Sequence, residues 1–207
     1  MKNIGILGGT FDIVHNGHVD VAEFVALQLG LDKVLLVTAG RPPHKQSGFL
    51  DGEVRHELVE GAVEGRPSLE ASRIELDLPG LSYTYRTIVQ LSEMLTAQAG
   101  GDVAITFILS AEYLDPANPS NVTKWEEAEA LLAKVQLAVV PRGKYTAELA
   151  RQWVEELKLT NVRIFDQQIS SLSSGIVRDA IKNGLSIDDL VPPRVVELVK
   201  KHGIVYS

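Results

Sequence analysis

Short runs of apolar residues alternate along the chain with longer stretches in which apolar residues recur every three or four positions. The short runs are mostly continuous, which is typical of strands buried on both faces of a parallel sheet. The longer stretches have the period of amphipathic helices. Strands are predicted at residues 3–7, 33–38, 69–76, 104–109, 135–140 and 162–165, and helices near 18–29, 51–64, 83–97, 124–133, 146–157, 174–183 and 193–201.

This alternation of strand and helix predicts βαβ units and therefore an α/β fold. We expect a Rossmann-like, doubly wound and mostly parallel sheet with helices on both faces. No repeat, low-complexity tract or linker divides the 207 residues, so a single domain is predicted. Its core would span about residues 1–170, and the helices of residues 171–207 would form a small C-terminal cap. Ligands of such sheets bind beyond the carboxyl ends of the strands.

Composition and charge narrow the classes of function. The formal net charge of -7 argues against a nucleic-acid polymer as partner, because such binders carry a basic surface. The absence of cysteine excludes disulfides, thiolate catalysis and Cys-ligated zinc. No apolar stretch approaches the roughly 20 residues that span a bilayer, and no signal-peptide pattern precedes the first strand. We therefore expect a cytoplasmic protein without membrane partners.

The first predicted strand runs into a loop that combines glycines with histidines, GGTFDIVHNGH at residues 8–18. Asn16 is the predicted N-cap of the next helix, which places His18 in its first turn and His15 just before it. Free N–H groups and the helix dipole favour an anion there, and glycines let a phosphate approach the backbone. Taken alone, these residues leave three interpretations open: chance histidines in a turn, an HxxH metal site without a third ligand, or a phosphate-binding loop.

A second candidate for anion binding is ISSLSSGIVR, at residues 169–178. Ser173 or Ser174 is predicted to cap a helix whose apolar residues face the core. Arg178 falls off that apolar face, about one turn into the helix, where it would reach a triphosphate held at the N-terminus. The alternative is a capped helix with one surface arginine.

Together the two stretches resemble the motifs of the nucleotidylyltransferase superfamily, GGTFDPxHxGH and ISSTxIR. Ile13 stands in the position of the proline, whose ring would stiffen the loop by fixing φ. Gly175 stands in the position of a threonine or serine and removes a hydroxyl from the second motif. Both histidines and Arg178 are retained.

Further stretches resemble bacterial nicotinate-nucleotide adenylyltransferases. They are AGRPPHK (39–45), SYTYRT (82–87), FILSAEYL (107–114), TKWEEAEALL (123–132) and VVPRG (139–143). In the family's SYTxDT and FIIGADxL patterns, Arg86 replaces aspartate, Ser110 replaces glycine and Glu112 replaces aspartate. A capping box of Thr123 and Glu126 predicts that Trp125 lies in the first turn of a helix.

The resemblance implies transfer of AMP from ATP to nicotinate mononucleotide, with release of pyrophosphate. The implied catalytic residues are His15, His18, Lys45 and Arg178. The implied ATP-binding residues are Gly8, Gly9, Thr10, Phe11, His15, His18, Arg142, Ser173, Ser174 and Arg178. The implied acceptor-binding residues are Lys45, Thr84, Glu112 and Trp125. Mg²⁺ would be carried by the ATP phosphates rather than by protein side chains, and the protein could form a homo-oligomer.

The acceptor phosphate would be largely dianionic at pH 7, so this chemistry needs no general base. We expect nearby phosphates to favour the imidazolium forms of His15 and His18. Several alternatives remain: nicotinamide mononucleotide or another phosphate ester as acceptor, a cytidylyl donor, or an inactive nucleotide-binding protein. For individual residues the alternatives are a solvated Lys45, a Ser82 that only caps a helix, and a Trp125 that only anchors its helix to the core.

Overall fold

The computed structural model describes residues 1–41 and 50–206, in which the strands are short and the helices lie between them. The strands are β1 (Lys2–Gly9), β2 (Lys33–Thr38), β3 (Leu69–Ser72), β4 (Val103–Ser110), β5 (Gln136–Val140) and β6 (Val162–Ile164). The helices are α1 (Asn16–Leu29), α2 (Gly52–Val63), α3 (Ile74–Asp77), α4 (Thr84–Ala99), α5 (Ala128–Lys134), α6 (Ala147–Glu156), α7 (Ser174–Lys182) and α8 (Pro193–Lys201). Two 3₁₀ turns cover Ala111–Leu114 and Val122–Lys124.

The six strands form one sheet in the order β3-β2-β1-β4-β5-β6, and every neighbouring pair is parallel. The chain builds outward from β1 to β3, then returns through α4 to place β4 on the other side of β1. The order therefore reverses between β1 and β4, which is where doubly wound sheets bind ligands. The predicted Rossmann-like fold is confirmed.

Helices cover both faces of the sheet, and this explains the continuous apolar runs. Along β4, Ile108 packs with α1, α2 and α8 on one face, whereas Phe107 and Leu109 pack with α4 and α5 on the other. Successive side chains of a strand point to opposite faces, so a strand covered twice is apolar at every position. The C-terminal helices α7 and α8 share the first of these two cores, through residues such as Val177 and Leu198.

The third strand is shorter than predicted. Residues 69–76 alternate like a strand, but β3 ends at Ser72, opposite Val37, where β2 itself is about to end. The chain then folds into the one-turn α3, in which Arg73 Nε lies 3.0 Å from Asp77 Oδ1. An edge strand with little left to pair with thus gives way to a local helical turn stabilised by an ion pair of i,i+4 spacing.

The capping box predicted at Thr123 and Glu126 is wrong. Asn121 is the capping residue instead, because its Oδ1 accepts from the Thr123 N–H at 2.9 Å and starts a 3₁₀ turn. Helix α5 begins only at residue 128, after Glu127 has taken a left-handed conformation with φ of 52°. Trp125 therefore lies in the link between the two elements and not in a first helical turn.

Candidate active site

The loop after β1 leads directly to the first turn of α1. Gly8 and Gly9 end β1 beside Val37 and Thr38 of β2. Beyond them Phe11 is buried, with φ of 49°, and its ring packs edge-on against the His18 ring at 5.0 Å. The Asp12–Ile13 peptide bond is cis, and the Ile13 side chain is fully buried.

His15, rather than Asn16, is the N-cap residue of α1. His15 has the extended backbone of an N-cap, with φ of −141° and ψ of 168°, whereas Asn16 is already helical. The Asn16 side chain donates instead to the carbonyl of Asp189 at 3.1 Å, which fixes the segment before α8 against the start of α1. The predicted cap was wrong by one residue because the asparagine serves this tertiary contact.

The two histidines form one stacked unit. Their ring centroids lie 3.7 Å apart with planes inclined by 24°. His15 is only 2% exposed, whereas His18 is half-buried. The His15 backbone N–H donates to His18 Nδ1 at 3.2 Å, so a neutral His18 carries its proton on Nε2. His18 can therefore donate a hydrogen bond to a ligand without being charged.

The surroundings hold both imidazoles neutral. Burial, and then the positive charge of Arg142, lower the pKa of His15 to about 4. The pKa of His18 lies well below its ordinary value, first because of burial and then because of His15 and Arg142. The imidazolium forms expected from the sequence are therefore disfavoured in the free site, where desolvation and a neighbouring cation both oppose them.

The buried histidine makes stability depend on pH in a defined direction. His15 has a folded-state pKa of about 4 against an ordinary 6.5, so the unfolded chain takes up the proton first. The free energy of unfolding therefore has its full value, as far as His15 is concerned, above pH 6.5. It falls by about 3 kcal/mol in total as the pH is lowered from 6.5 toward 4. We expect the free energy of unfolding of His15→Gln, measured with urea, to fall less between pH 7 and pH 4 than that of the wild type. Identical losses in the two proteins would contradict this assignment.

The second motif is attached to the first. Ser173 caps α7, since its Oγ accepts from the Ile176 N–H at 3.3 Å. The Ser174 hydroxyl donates to the Ile13 carbonyl at 3.0 Å, and Arg178 donates to the carbonyl of Asp12. The two motifs, about 160 residues apart in sequence, therefore form one structural unit.

Gly17 lies where these two motifs meet. A Cβ added to it would lie 2.5 Å from Ser170 Oγ, closer than two such atoms approach. The glycine in HNGH therefore allows the first turn of α1 to pack against the segment that precedes α7.

Asp12 is the centre of a buried polar cluster that the sequence did not predict. It is 4% exposed and accepts from the Tyr206 hydroxyl at 2.8 Å and from the Leu50 N–H at 3.3 Å. The Arg178 guanidinium lies 3.8 Å from its carboxylate and 6.0 Å from the centre of the Tyr206 ring. Burial and the bond to Asp12 raise the pKa of Tyr206. Arg178 is thus held by the first motif and by the C-terminal segment.

Arg55 is a second residue that sequence reasoning missed. It is fully buried and donates to the carbonyls of Leu50 at 2.9 Å, Thr10 at 2.7 Å and Gly40 at 3.5 Å. It therefore joins the loop after β1 to the loop after β2. A signal was present: Arg55 lies on the face of α2 that carries Leu58, Val59 and Ala62, so a charge interrupts an apolar stripe.

A cavity of about 90 Å³ at the carboxyl edge of the sheet is lined by three of the predicted ATP-binding residues, His15, His18 and Arg142, whereas Ser173, Ser174 and Arg178 do not line it. Its lining includes His15, His18, Ser110, Arg142, Ser170 and Leu172. Arg142 donates to the Leu172 carbonyl at 3.0 Å, and its guanidinium lies 3.8 Å from Glu112 Oε1. Arg142 thus spans from the end of β4 to the second motif.

The residues predicted for the acceptor are less closely grouped. Thr84 is the first residue of α4, and neither Thr84 nor Trp125 lines the 90 Å³ cavity. Ser82 is not a helix cap: its Oγ accepts from the N–H groups of Gly40 and Arg41, both at 3.0 Å, and so joins this segment to the end of β2. Lys45 lies outside the described residues.

Trp125 is held by its own neighbours. Its indole N–H donates to the Ser120 carbonyl at 2.8 Å, and its ring packs edge-on against Phe107 at 5.9 Å and Tyr113 at 5.6 Å. It is half-buried, so part of the ring remains accessible.

Comparisons with known proteins agree with this arrangement. The family model for cytidylyltransferase-like proteins matches residues 6–180. A probable nicotinate-nucleotide adenylyltransferase of Clostridium tetani is 31% identical over 208 residues, with 99% of each chain covered. Another, of Streptococcus pyogenes serotype M3, is 35% identical over 206 residues, with 98% of this chain and 88% of the relative covered. The chain belongs to the nicotinate-nucleotide adenylyltransferase family.

Solved structures place the same fold in this family. A Plasmodium falciparum nicotinic acid mononucleotide adenylyltransferase complexed with NaAD superposes with a TM-score of 0.79, with 99% of this chain and 97% of that chain covered. At 16% identity this likeness concerns the fold. The prediction of a nucleotidyltransferase enzyme is confirmed by the nicotinate-nucleotide adenylyltransferase relatives.

The described part of this nicotinate-nucleotide adenylyltransferase family member contains neither a cluster of metal-ligating side chains nor a membrane-spanning helix. Within residues 1–41 and 50–206, no three His, Asp or Glu side chains are grouped so that they could hold a metal ion. Over the same residues, no helix combines the length and the apolar character needed to cross a membrane.

Proposed function

We propose that this protein transfers the adenylyl group of ATP to the phosphate of nicotinate mononucleotide, in NAD biosynthesis. The products are nicotinate adenine dinucleotide and pyrophosphate. The observation that carries the proposal is the cavity at the β1–β4 reversal, where the stacked His15 and His18 meet Arg142 and the second motif. The relatives named nicotinate-nucleotide adenylyltransferase, at 30–35% identity, support the choice of substrates.

In the proposed reaction, a phosphate oxygen of nicotinate mononucleotide attacks the α-phosphorus of ATP. A new P–O bond forms while the bond to pyrophosphate breaks, and pyrophosphate leaves with the electron pair. The attacking phosphate is already largely dianionic at pH 7, because its second pKa is about 6. The protein therefore has to position two anions and to stabilise the charge that develops at the α-phosphate.

His18 is the proposed donor to the α-phosphate. Its Nδ1 is occupied by the His15 N–H, so its Nε2–H is the group left to point at a ligand. A neutral donor that is already oriented does not have to reorganise during the reaction, and this is where such groups gain their effect. His15 fixes this orientation through its backbone and stacks behind the ring.

The proposed cations act at opposite ends of the reacting groups. Arg178 is proposed for the triphosphate, which would compete for it with the carbonyl and carboxylate of Asp12. Arg142 lies beside the histidines, and Lys45 is proposed for the acceptor phosphate. Loss of either arginine would leave phosphate charge unneutralised in a partly desolvated site.

The remaining ATP contacts are proposed to be made by the backbone. Gly8, Gly9 and Thr10 offer N–H groups at the end of β1, while the Phe11 side chain is buried against His18. The hydroxyls of Ser173 and Ser174 already serve the helix and the first motif, so these residues would meet phosphate through the free N–H groups at the start of α7.

Magnesium is proposed to enter the site bound to the ATP phosphates. The buried Asp12 carboxylate is a poor metal ligand here, because it accepts from Tyr206 and Leu50 and lies near the Arg178 cation. When bound, the ion neutralises charge on the pyrophosphate portion. The protein's own part is to hold the phosphates with backbone N–H groups and arginines.

The proposal is tested by pyrophosphate release from ATP with nicotinate and nicotinamide mononucleotides measured side by side, and from CTP in place of ATP with nicotinate mononucleotide. We expect a kcat/KM for the nicotinate compound at least about tenfold higher, equivalent to about 1.4 kcal/mol. A preference for nicotinamide mononucleotide would overturn the acceptor, and a preference for CTP over ATP would overturn the donor. If no pyrophosphate were released with either acceptor, the protein would be a nucleotide-binding protein without transferase activity.

Trp125 gives a further prediction about the acceptor. We expect Trp125→Ala to raise the KM for nicotinate mononucleotide while the KM for ATP changes little, because the accessible part of its ring is proposed to stack on the pyridine ring. The matched control is Trp153→Ala on α6, which also removes a half-buried indole packed near a tyrosine ring. Equal changes in the acceptor KM for both variants would mean that Trp125 only anchors its segment to the core.

A further inference from the structure

Three buried polar side-chain atoms have no hydrogen-bond partner in the part of the chain that the structure describes: His15 Nδ1, His15 Nε2 and the hydroxyl oxygen of Ser110. Both residues line the same 90 Å³ cavity. Leaving a buried polar atom unpaired costs about 1–3 kcal/mol, so folded proteins seldom retain one without a reason. Since His15 belongs to the proposed phosphate site, the unpaired Ser110 hydroxyl in the same cavity points to the same ligand.

Ser110 occupies a defined place at this site. It is the last residue of β4, and its backbone is fixed by pairing with Val140 of β5, two residues before Arg142. It therefore lies beside the β1–β4 reversal, on a rigid element rather than on a loop. The FIIGADxL pattern that this segment resembles has glycine at the position of Ser110, so relative to that pattern the hydroxyl is an added group.

We propose that the Ser110 hydroxyl binds ATP, through a hydrogen bond to a ribose or phosphate oxygen. This inference rests on the proposed function, which supplies the nucleotide. A hydroxyl can donate and accept, which suits both kinds of oxygen. The cavity, at about 90 Å³, is several times larger than the roughly 10–15 Å³ that one water molecule requires, so it can admit part of a sugar or phosphate group.

Ser110 is assigned to ATP rather than to the acceptor because of the other residues that line the cavity. Its lining includes His18, Arg142 and Leu172, which belong to the proposed ATP site or bond to it. The residues proposed for the acceptor, Thr84 and Trp125, do not line it. Ser110 is thus an additional ATP-binding residue rather than a determinant of the acceptor.

A serine with only a structural role and a serine that binds ATP respond oppositely to loss of the hydroxyl. Ser110→Ala removes an unpaired buried group, so the Tm of the free protein is expected to stay the same or to rise. In contrast, the Kd for α,β-methylene-ATP, measured by calorimetry without acceptor, is expected to increase about tenfold, as for the loss of one good hydrogen bond. The control is Ser170→Ala: Ser170 Oγ already accepts from the Leu172 N–H at 3.1 Å, so its loss is expected to lower the Tm.

The two kinds of oxygen are separated by repeating the titration with 2′-deoxy and 3′-deoxy nucleotides. If one of them binds Ser110→Ala and the wild type equally well, Ser110 contacts the missing ribose hydroxyl. If both still bind the variant more weakly, it contacts a phosphate. An unchanged Kd for α,β-methylene-ATP in Ser110→Ala overturns the inference. Because this measurement needs no turnover, it can fail while pyrophosphate release succeeds, and the reverse also holds.

Discussion

Replacing His18 by alanine is expected to lower the kcat of adenylyl transfer by about 10²–10³, or about 3–4 kcal/mol in activation free energy. The variant loses the Nε2–H that is proposed to donate to the α-phosphate, in a ring whose Nδ1 accepts from the His15 N–H. The KM values are expected to change much less, because the donor acts mainly on charge that develops during the reaction. Steady-state kinetics with saturating ATP and acceptor provide the measurement.

His202→Ala is the matched control for this experiment. His202 also lies near a helix end, but its ring is paired with Glu57 at 2.6 Å, away from the cavity. Its loss is expected to leave kcat within about twofold, a change of about 0.4 kcal/mol. If His18→Ala behaved like His202→Ala, His18 would have no role in the chemical step.

Replacing Arg55 by methionine is expected to reduce the free energy of unfolding by about 3–5 kcal/mol. The substitution keeps much of the side-chain volume but withdraws the donors from the carbonyls of Leu50, Thr10 and Gly40. These three carbonyls would then be left partly buried without this partner. For a chain of this size the loss corresponds to a Tm lower by roughly 10 °C, which thermal and urea unfolding would both detect.

Arg66→Met is the corresponding control. Arg66 pairs with Glu23 at 2.8 Å, and both side chains are about one-third exposed, so the expected loss is at most about 1 kcal/mol. If the two variants unfolded alike, the network around Arg55 would add nothing beyond an ordinary surface ion pair. Because Arg55 joins the loops after β1 and β2, its replacement is also expected to lower activity.

Features that depend on near neighbours in sequence were the ones that the sequence predicted best. His15 and His18 are one helical turn apart, so any helix starting near residue 16 brings them together. The four inner strands, β2, β1, β4 and β5, were recognisable because a strand covered on both faces is apolar at most positions. The second motif predicted its own helix, with Ser173 as one of two candidate caps, because capping is also local.

What the sequence did not predict depends on distant contacts or on weak local preferences. Tyr206 reaches Asp12 across 194 residues, and no pattern near either residue signals this bond. Trp125 was misplaced because Asn121 starts a 3₁₀ turn before the expected capping box can form. Asparagine is a favourable N-cap residue, but the Asn16 side chain donates instead to the distant carbonyl of Asp189.

The attachment of Ser174, Arg178 and Tyr206 to the loop of Asp12 and Ile13 has a consequence for protein synthesis. The first motif is synthesised before the groups that hold it, because Ser174, Arg178 and Tyr206 all follow β6. A nascent chain that has reached β6 but not α7 lacks all three of these anchors. We therefore expect the histidine loop to reach its final geometry only after α7 and the segment of Tyr206 have docked against it.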